Sequence, residues 1–261
     1  MRVVVCVKHV PDTTELRVDP GTGAPMLQYA PTRINDYDRH ALEEAARLRE
    51  QQGASVTVLC AGPPEAVRTM KEAVAAGADE AFLVSGPWAA DLDPGASARV
   101  LAAGVRHLGE CDLVLCGDLS EDGYYGLVPG MLAAHLGVPY VASATRLEVA
   151  GDAATVTRVA GDVEETYRLS LPAVVSVSRL INEPRVVTTL QVVRVAGSRV
   201  KTASAGQVGL DESRLAPEQL GSRIVGVRSA ATPRRRELLT GDAESAVQQL
   251  IGYLTGAGPL A

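Results

Sequence analysis

The sequence predicts an α/β protein: a doubly wound, mostly parallel sheet, with an antiparallel insertion at one edge and an extended C-terminal tail. Three observations predict it. Short apolar runs such as Ser55–Cys60 and Asp112–Cys116 alternate with helical patterns as far as Tyr140, which is the signature of βαβ units. Beyond Tyr140 the runs alternate apolar and polar residues between glycine turns, as strands with one wet face do. Aromatic residues make up only 3% of the chain, so Val, Leu and Ala must fill the core, which suits helices laid closely on a parallel sheet.

The elements follow in order. Arg2–Val10 (RVVVCVKHV) reads as a first, central strand ended by Pro11-Asp12-Thr13-Thr14. Leu16–Val18 and Met26–Tyr29, joined through Asp19-Pro20-Gly21-Thr22-Gly23, read as a small hairpin outside the main sheet. Asn35 or Asp36 can cap a helix over Asp38–Gln52, which puts Ala41, Ala45 and Leu48 on one face and the Glu43/Arg47 pair on another. Strand Ser55–Cys60 runs into Ala61-Gly62-Pro63-Pro64, and helix Glu65–Ala76 buries Val67, Met70 and Val74. Glu80–Val84 is a third strand. Asp93-Pro94 then gives a cap with proline at the first turn of helix Ala96–Leu108.

The stretch Cys111–Ala142 comes next: strand, polar loop from Gly117 to Gly126, and helix Leu127–Leu136 stopped by Gly137 and Pro139. In an open α/β sheet, ligands bind where such loops leave the carboxyl ends of the strands. Thr145–Val149, Ala154–Val159 and Glu165–Leu171 are expected to be antiparallel, and Pro172–Val177 to re-enter the core. After Asn182-Glu183-Pro184-Arg185 the chain reads as irregular to about Arg223, followed by a strand at Arg223–Val227 and a helix at Asp242–Leu254. The expected division is therefore an α/β domain over 1–188 and an arm over 189–261, too thin to hold its own core and expected to lie across a partner.

Composition narrows the function. The net charge is −6, so there is no basic field for nucleic acid or anionic lipid. The run Arg234-Arg235-Arg236 reads as a solvated surface patch. The four cysteines, Cys6, Cys60, Cys111 and Cys116, form no C-x-x-C pair, which argues against zinc or a dithiol centre and for buried thiols in a reducing cytoplasm. Met1–Val10 is too short for a signal peptide and carries Lys8, and no run reaches the length of a membrane span. A cytoplasmic protein is expected. The chain has no G-x-G-x-x-G after a strand, no G-x-x-x-x-G-K-[ST] and no G-x-S-x-G. A dinucleotide dehydrogenase, a P-loop enzyme and an α/β-hydrolase nucleophile are all disfavoured. His9, His40, His107 and His135 are scattered, and no pair of carboxylates is spaced for acid–base work. The residues alone reach as far as a nucleotide-sized ligand at the strand ends.

Several segments carry a resemblance. They are Val7-Lys8-His9-Val10-Pro11-Asp12-Thr13 with the Asp19–Gly23 turn, Ile34-Asn35 before Ala41-Leu42-Glu43-Glu44-Ala45, and Ala61-Gly62-Pro63 before a helix ending Ala76-Gly77-Ala78-Asp79. Asp112–Gly117 with Asp122-Gly123 follows, then Leu171–Val175 with Asn182-Glu183-Pro184-Arg185. In order and spacing, over almost the whole chain, these resemble the β subunit of electron-transfer flavoprotein, with some similarity to its electron-bifurcating branch.

The resemblance implies an adenine-nucleotide α hydrolase-like fold and a heterodimer with an α subunit that holds most of one FAD. It implies electrons taken from a dehydrogenase and passed to an acceptor, with no catalytic residue in this chain. It further implies either AMP or a second FAD in a β-subunit pocket. By position that pocket is lined by Cys6, Asn35, Ala61, Gly62, Gly117, Asp122, Gly123, Gly126, Leu127 and Val128. Thr13 matches the place that leans toward the α subunit's flavin. Thr189–Leu190 matches the loop that docks on partner dehydrogenases, or is an ordinary surface loop. Asn35 is a ligand contact or a helix cap, and Asn182 a turn residue or a contact.

Departures stand beside the matches. Leu119 replaces the family's usual Gln, Tyr124 its Asp, and Gly126-Leu127-Val128 its Asn/Ala-Gln-Thr/Val run, while Asp118 and Glu121 add negative charge. Gly161 and Val163 also depart, although Glu165 matches. The implied member is a divergent one whose pocket is altered or empty. An ATP-using or nucleotide-sensing α/β protein unrelated to electron transfer is the alternative; the first would want an S-G-G-x-D-S type loop that Lys8–Thr14 lacks, the second a shorter chain.

Overall fold

The computed structural model describes residues 1–90, 92–229, 236 and 238–256. The chain divides into two compact units, one spanning Met1–Val227 and the other Arg228–Ala261. The larger unit is an α/β layer structure. Its strands and helices run β1 (Arg2–Cys6), β2 (His9–Pro11), β3 (Thr32–Ile34), α1 (Asp36–Gln52), β4 (Ser55–Ala61), α2 (Val67–Ala75), β5 (Glu80–Val84) and α3 (Pro94–Leu108). They continue with β6 (Leu113–Gly117), α4 (Val128–Leu136), β7 (Tyr140–Ala150), β8 (Ala153–Ala160), β9 (Val163–Ser170), β10 (Ala173–Val177), α5 (Thr189–Arg194) and β11 (Val200–Ala203).

Nine strands form one sheet in the order β11-β5-β4-β1-β6-β10-β7-β8-β9. It is parallel from β11 to β7, and β8 and β9 are antiparallel. The period-2 geometry of a strand explains the two cores. Val3, Val5 and Val7 face one layer with Leu113, Leu115, Val56 and Val58, covered by Ala41, Leu42 and Ala45 of α1 and Met70 of α2. Val4, Cys6, Val114 and Cys116 face the other, covered by Ala98, Val100 and Leu101 of α3 and Leu132 of α4. Small alanines on all four helices let them lie close to a sheet whose own residues are β-branched.

The chain winds outward from β1 through β4 to β5, then crosses back to place β6 on the other side of β1. That reversal opens a crevice at the carboxyl ends of β1 and β6, the switch point at which α/β sheets bind ligands.

The differences from the sequence reading have local causes. The first strand breaks after Cys6, because the backbone N–H of Lys8 leaves the sheet to bond Asp38. His9–Pro11 instead pairs with Thr32–Ile34 in a separate antiparallel ribbon. The expected hairpin over 16–29 is reduced to one bridge, Val18–Pro25, with Leu27–Tyr29 in a 3₁₀ turn.

Toward the C-terminus, the expected strand Arg223–Val227 is not formed; Val200–Ala203 extends the main sheet beside β5 instead. The sheet thus reaches past 188, and the boundary between the two units falls between Val227 and Arg228 rather than at 188/189. Thr188 caps α5 through a reciprocal box with Gln191, so Thr189–Leu190 is the first turn of a helix and not a loop. In the second unit, α6 (Ala243–Gly256) matches the expected helix and carries Val247, Leu250 and Ile251 about half exposed. Arg234 and Arg235 of the basic run lie outside the described residues.

Candidate functional site

The crevice holds a cavity of about 120 Å³. Its floor is the strand ends Cys6, Ala61 and Gly117; one side is α3, through Pro94, Ser97 and Leu101. The other side is the loop after β6, including Asp118, Ser120 and Tyr125, with Gly126, Leu127 and Val128 leading into α4.

Asp38 organises the floor. From the first turns of α1 its carboxylate accepts the backbone N–H of Lys8 at 2.7 Å and that of Gly117 at 3.1 Å, tying the ends of β1 and β6 to one helix. Burial pushes its pKa up to about 7 despite those donors. This approach explains Gly117. A Cβ there would meet Asp38 Oδ1 at 2.5 Å and the Tyr37 backbone carbon at 2.7 Å.

Asn35 is wholly buried and precedes α1, but its side chain does not cap that helix. Its amide donates to the Leu119 carbonyl at 2.8 Å, and its Oδ1 accepts the Glu121 N–H at 3.0 Å. Glu121 answers by accepting from the Asp36 N–H at 3.4 Å and from Arg33 at 3.1 Å. A carboxylate from a distant loop therefore takes the place of a local cap at the positive end of α1. Further along the loop, Lys8 Nζ pairs with Asp122 at 2.6 Å. Tyr124 is held at φ +54°, and the Tyr125 ring folds back over Gly123, where a Cβ would sit 2.9 Å from it. Asp118 accepts from the Ser143 N–H at 3.0 Å and from Ser176 Oγ at 2.5 Å.

Of the residues singled out in the sequence, Cys6, Asn35, Ala61, Gly117, Gly126, Leu127 and Val128 come together around this cavity. Gly62, Asp122 and Gly123 stand just outside its lining: Gly62 packs against Cys60 and Ala66, Asp122 holds Lys8, and Gly123 makes room for Tyr125. Thr13 lies elsewhere, in an exposed turn capped by Asp12. Asn182 bonds the His40 carbonyl and Glu44, and Arg185 clasps Glu43 and Glu50, so the Asn182–Arg185 segment fastens β10's exit to α1. Sequence reading misses Lys8, Asp38, Ser97 and Tyr125 as lining residues. The signal for Lys8 and Asp38 is weak, since a lysine after a strand and an aspartate in a first helical turn are both ordinary.

The Cys6 thiol hydrogen-bonds with Cys116 and is buried, which raises its pKa well above the usual range; burial pushes Cys60 up to about 12. Neither is a ready nucleophile. Among the described residues no group of histidine, cysteine or carboxylate side chains could hold a metal ion. No helix among them is long and apolar enough to cross a membrane. The small strand-end residues and apolar walls fit a flat nucleoside ring. Lys8, the one cation among the described residues that lines the cavity, is paired with Asp122, and the start of α4 carries no side-chain cap.

Comparison with known proteins agrees with this arrangement. A family model described as the electron transfer flavoprotein domain matches residues 27–209. The electron transfer flavoprotein subunit beta of Thermoanaerobacterium thermosaccharolyticum is 32% identical over 255 residues, covering 97% of this chain and 98% of that one. The subunit beta of Clostridium acetobutylicum is 35% identical over 82% of this chain and 83% of its own. Protein FixA of Azorhizobium caulinodans is 36% identical over 81% of this chain and 78% of its own. With a family model over most of the chain and relatives more than 30% identical along most of their length, this chain belongs to the electron transfer flavoprotein family, on its beta-subunit and FixA branch.

Proposed function

We propose that this chain is the β subunit of a heterodimeric, cytoplasmic electron-transfer flavoprotein that takes electrons from a dehydrogenase and delivers them to an acceptor through an FAD held mainly by the α subunit. The observation that supports the reading is a cavity at the β1/β6 switch point, where Asp38 ties both strand ends to α1, in a chain whose residues 27–209 match the electron transfer flavoprotein domain. Flavin supplies the one- and two-electron chemistry when bound; the protein's part is to orient it and to exclude water.

In this reading Cys6, Ala61 and Gly117 present a surface for the adenine nucleoside end of AMP or of a second FAD, bounded by Gly126, Leu127 and Val128 at the start of α4. Thr13 faces the α subunit's flavin. Thr189 and Leu190, the latter 58% exposed, form a docking turn for the dehydrogenase. The segment after Val227, with α6 and its half-exposed apolar residues, packs on the α subunit.

Co-expression with an α subunit of the same family tests the proposal. A yellow 1:1 complex with a flavin spectrum, reducible by a dehydrogenase, is the expected result. A colourless chain that stays monomeric in the presence of α subunit and FAD would refute it.

A further inference from the structure

The loop that walls the cavity is fastened along only half of its length. Residues 118–121 are tied to neighbouring elements. Asp118 accepts from Ser143 and Ser176, the Leu119 carbonyl and the Glu121 N–H meet Asn35, and the Glu121 carboxylate meets Arg33 and the Asp36 N–H. Residues 122–126 are held differently. Gly123 and Tyr124 donate their N–H groups to the Ser120 carbonyl at 3.3 and 2.8 Å, which closes a turn within the loop itself. Among the described residues the one polar tie from this half to another element is the half-exposed ion pair of Asp122 with Lys8, at 2.6 Å.

The backbone of the loosely held half is set to turn. Tyr124 at φ +54° and Gly126 at φ +63° are left-handed on either side of Tyr125. A tyrosine seldom adopts that conformation, and its return to an ordinary one would swing the next residue. Tyr125 lines the cavity while about half of its own surface is exposed. The space it encloses is about 120 Å³, against roughly 300–1,000 Å³ for sites that surround a whole ligand. A ligand the size of a nucleotide therefore enters only if Tyr125 moves.

We infer that residues 122–126 form a lid on the crevice, with Tyr125 as its plug and the Lys8–Asp122 ion pair as its latch, and that this lid opens while residues 118–121 stay in place. The inference rests on the reading of the crevice as a ligand site and states how that site is entered; its test uses no ligand. An exposed ion pair holds a lid weakly, so closed and open forms exchange. Loss of the pair shifts the balance about twofold toward the open form, and salt weakens the latch in the same direction.

Cys6 reports the opening, because it lines the cavity, whereas the equally buried Cys60 and Cys116 do not. The full chain is labelled with methyl methanethiosulfonate, a small uncharged thiol reagent, and each cysteine is followed by peptide mass mapping. The hydrogen bond with Cys116 and burial hold the Cys6 pKa high, so labelling is slow in every variant and the ratio of rates is what is read. Cys6 should label about twofold faster in Asp122→Asn than in the parent. High salt should bring the parent to the variant's rate and leave the variant unchanged. Tyr125→Ala should label fastest of all and ignore salt, with Cys60 and Cys116 slow throughout. A Cys6 rate that neither variant alters would overturn the inference. So would Cys60 and Cys116 rising in step with Cys6, since that pattern reports opening of the sheet rather than of a loop. Faster Cys6 labelling in both variants of a chain that forms no yellow heterodimer would leave the lid standing and end the electron-carrier reading; a yellow heterodimer with an unaltered Cys6 rate would do the opposite.

Discussion

At the floor of the cavity Asp38 is enclosed and bonded to the backbone of two strands; at the outer wall the Lys8–Asp122 pair stands in solvent, with side chains 46% and 30% exposed. Both are charged contacts of similar length at the same crevice. The floor contact fixes where β1, β6 and α1 meet, so it cannot change without moving the core. The wall contact only lays a loop across the opening. The comparison teaches that this site was assembled in two layers, one inseparable from the fold and one free to vary, and substitutions in the two layers should differ accordingly.

The largest effect belongs to Gly117→Ala. The new methyl would fall within 2.5–2.7 Å of Asp38 and of the Tyr37 backbone, neither of which can step aside. A loss of about 3 kcal/mol is expected, measured as the shift of the urea midpoint. An alanine variant as stable as the parent would mean that floor and wall are not distinct layers.

Asn35→Ala should follow at about 2–3 kcal/mol, because it strips the Leu119 carbonyl and the Glu121 N–H of their partner. It sharpens the comparison, since Asn35 belongs to the floor and bonds the wall. Hydrogen exchange should quicken across 118–127 more than across β1 and β6.

Asp38 makes the floor sensitive to pH. Its folded pKa of about 7 lies above the unfolded value of 3.8, so the folded state holds the proton more tightly. Stability from this group is full below pH ~4 and is lost as the pH rises through ~7, by on the order of 2 kcal/mol after allowance for relaxation. The check is the urea midpoint at pH 5 against pH 8. Asp38→Asn should flatten that difference; an unchanged slope would show that another group governs it.

How much of this can be read from the chain depends on the reach of the interactions. β1, β4, β5 and β6 are buried on both faces, so composition alone reveals them, and Asp93 announces α3 by accepting the Ala96 N–H at 2.7 Å. The β2–β3 ribbon and β11 are only three and four residues long, too short for a period to show. The Thr188–Gln191 capping box is written in T-T-L-Q, although a reading of Thr189–Leu190 as a loop overlooks it. Within the site, the glycines and Asn35 are visible as residue types, but not their purpose. Gly117, Gly123 and Gly62 each make room for the protein's own side chains, and Asn35 serves a loop more than 80 residues away. A pairing at that distance leaves no local trace.

The wall gives the smallest effect, and the one that most directly separates the layers. Asp122→Asn breaks an exposed ion pair with Lys8 while leaving a hydrogen-bond acceptor in place. Such pairs are screened by salt and hold long side chains at an entropic cost, so the expected change is about 0.5 kcal/mol or less, vanishing at high ionic strength. If the urea midpoint of this variant fell as far as that of Asn35→Ala, the loop would be part of the framework after all. If stability holds while ligand preference shifts, the wall is the part of the molecule in which binding can be altered without cost to the fold, and the departures at Asp118, Leu119, Glu121, Tyr124 and Gly126-Leu127-Val128 fall in the loop that forms it or at the start of the helix that follows.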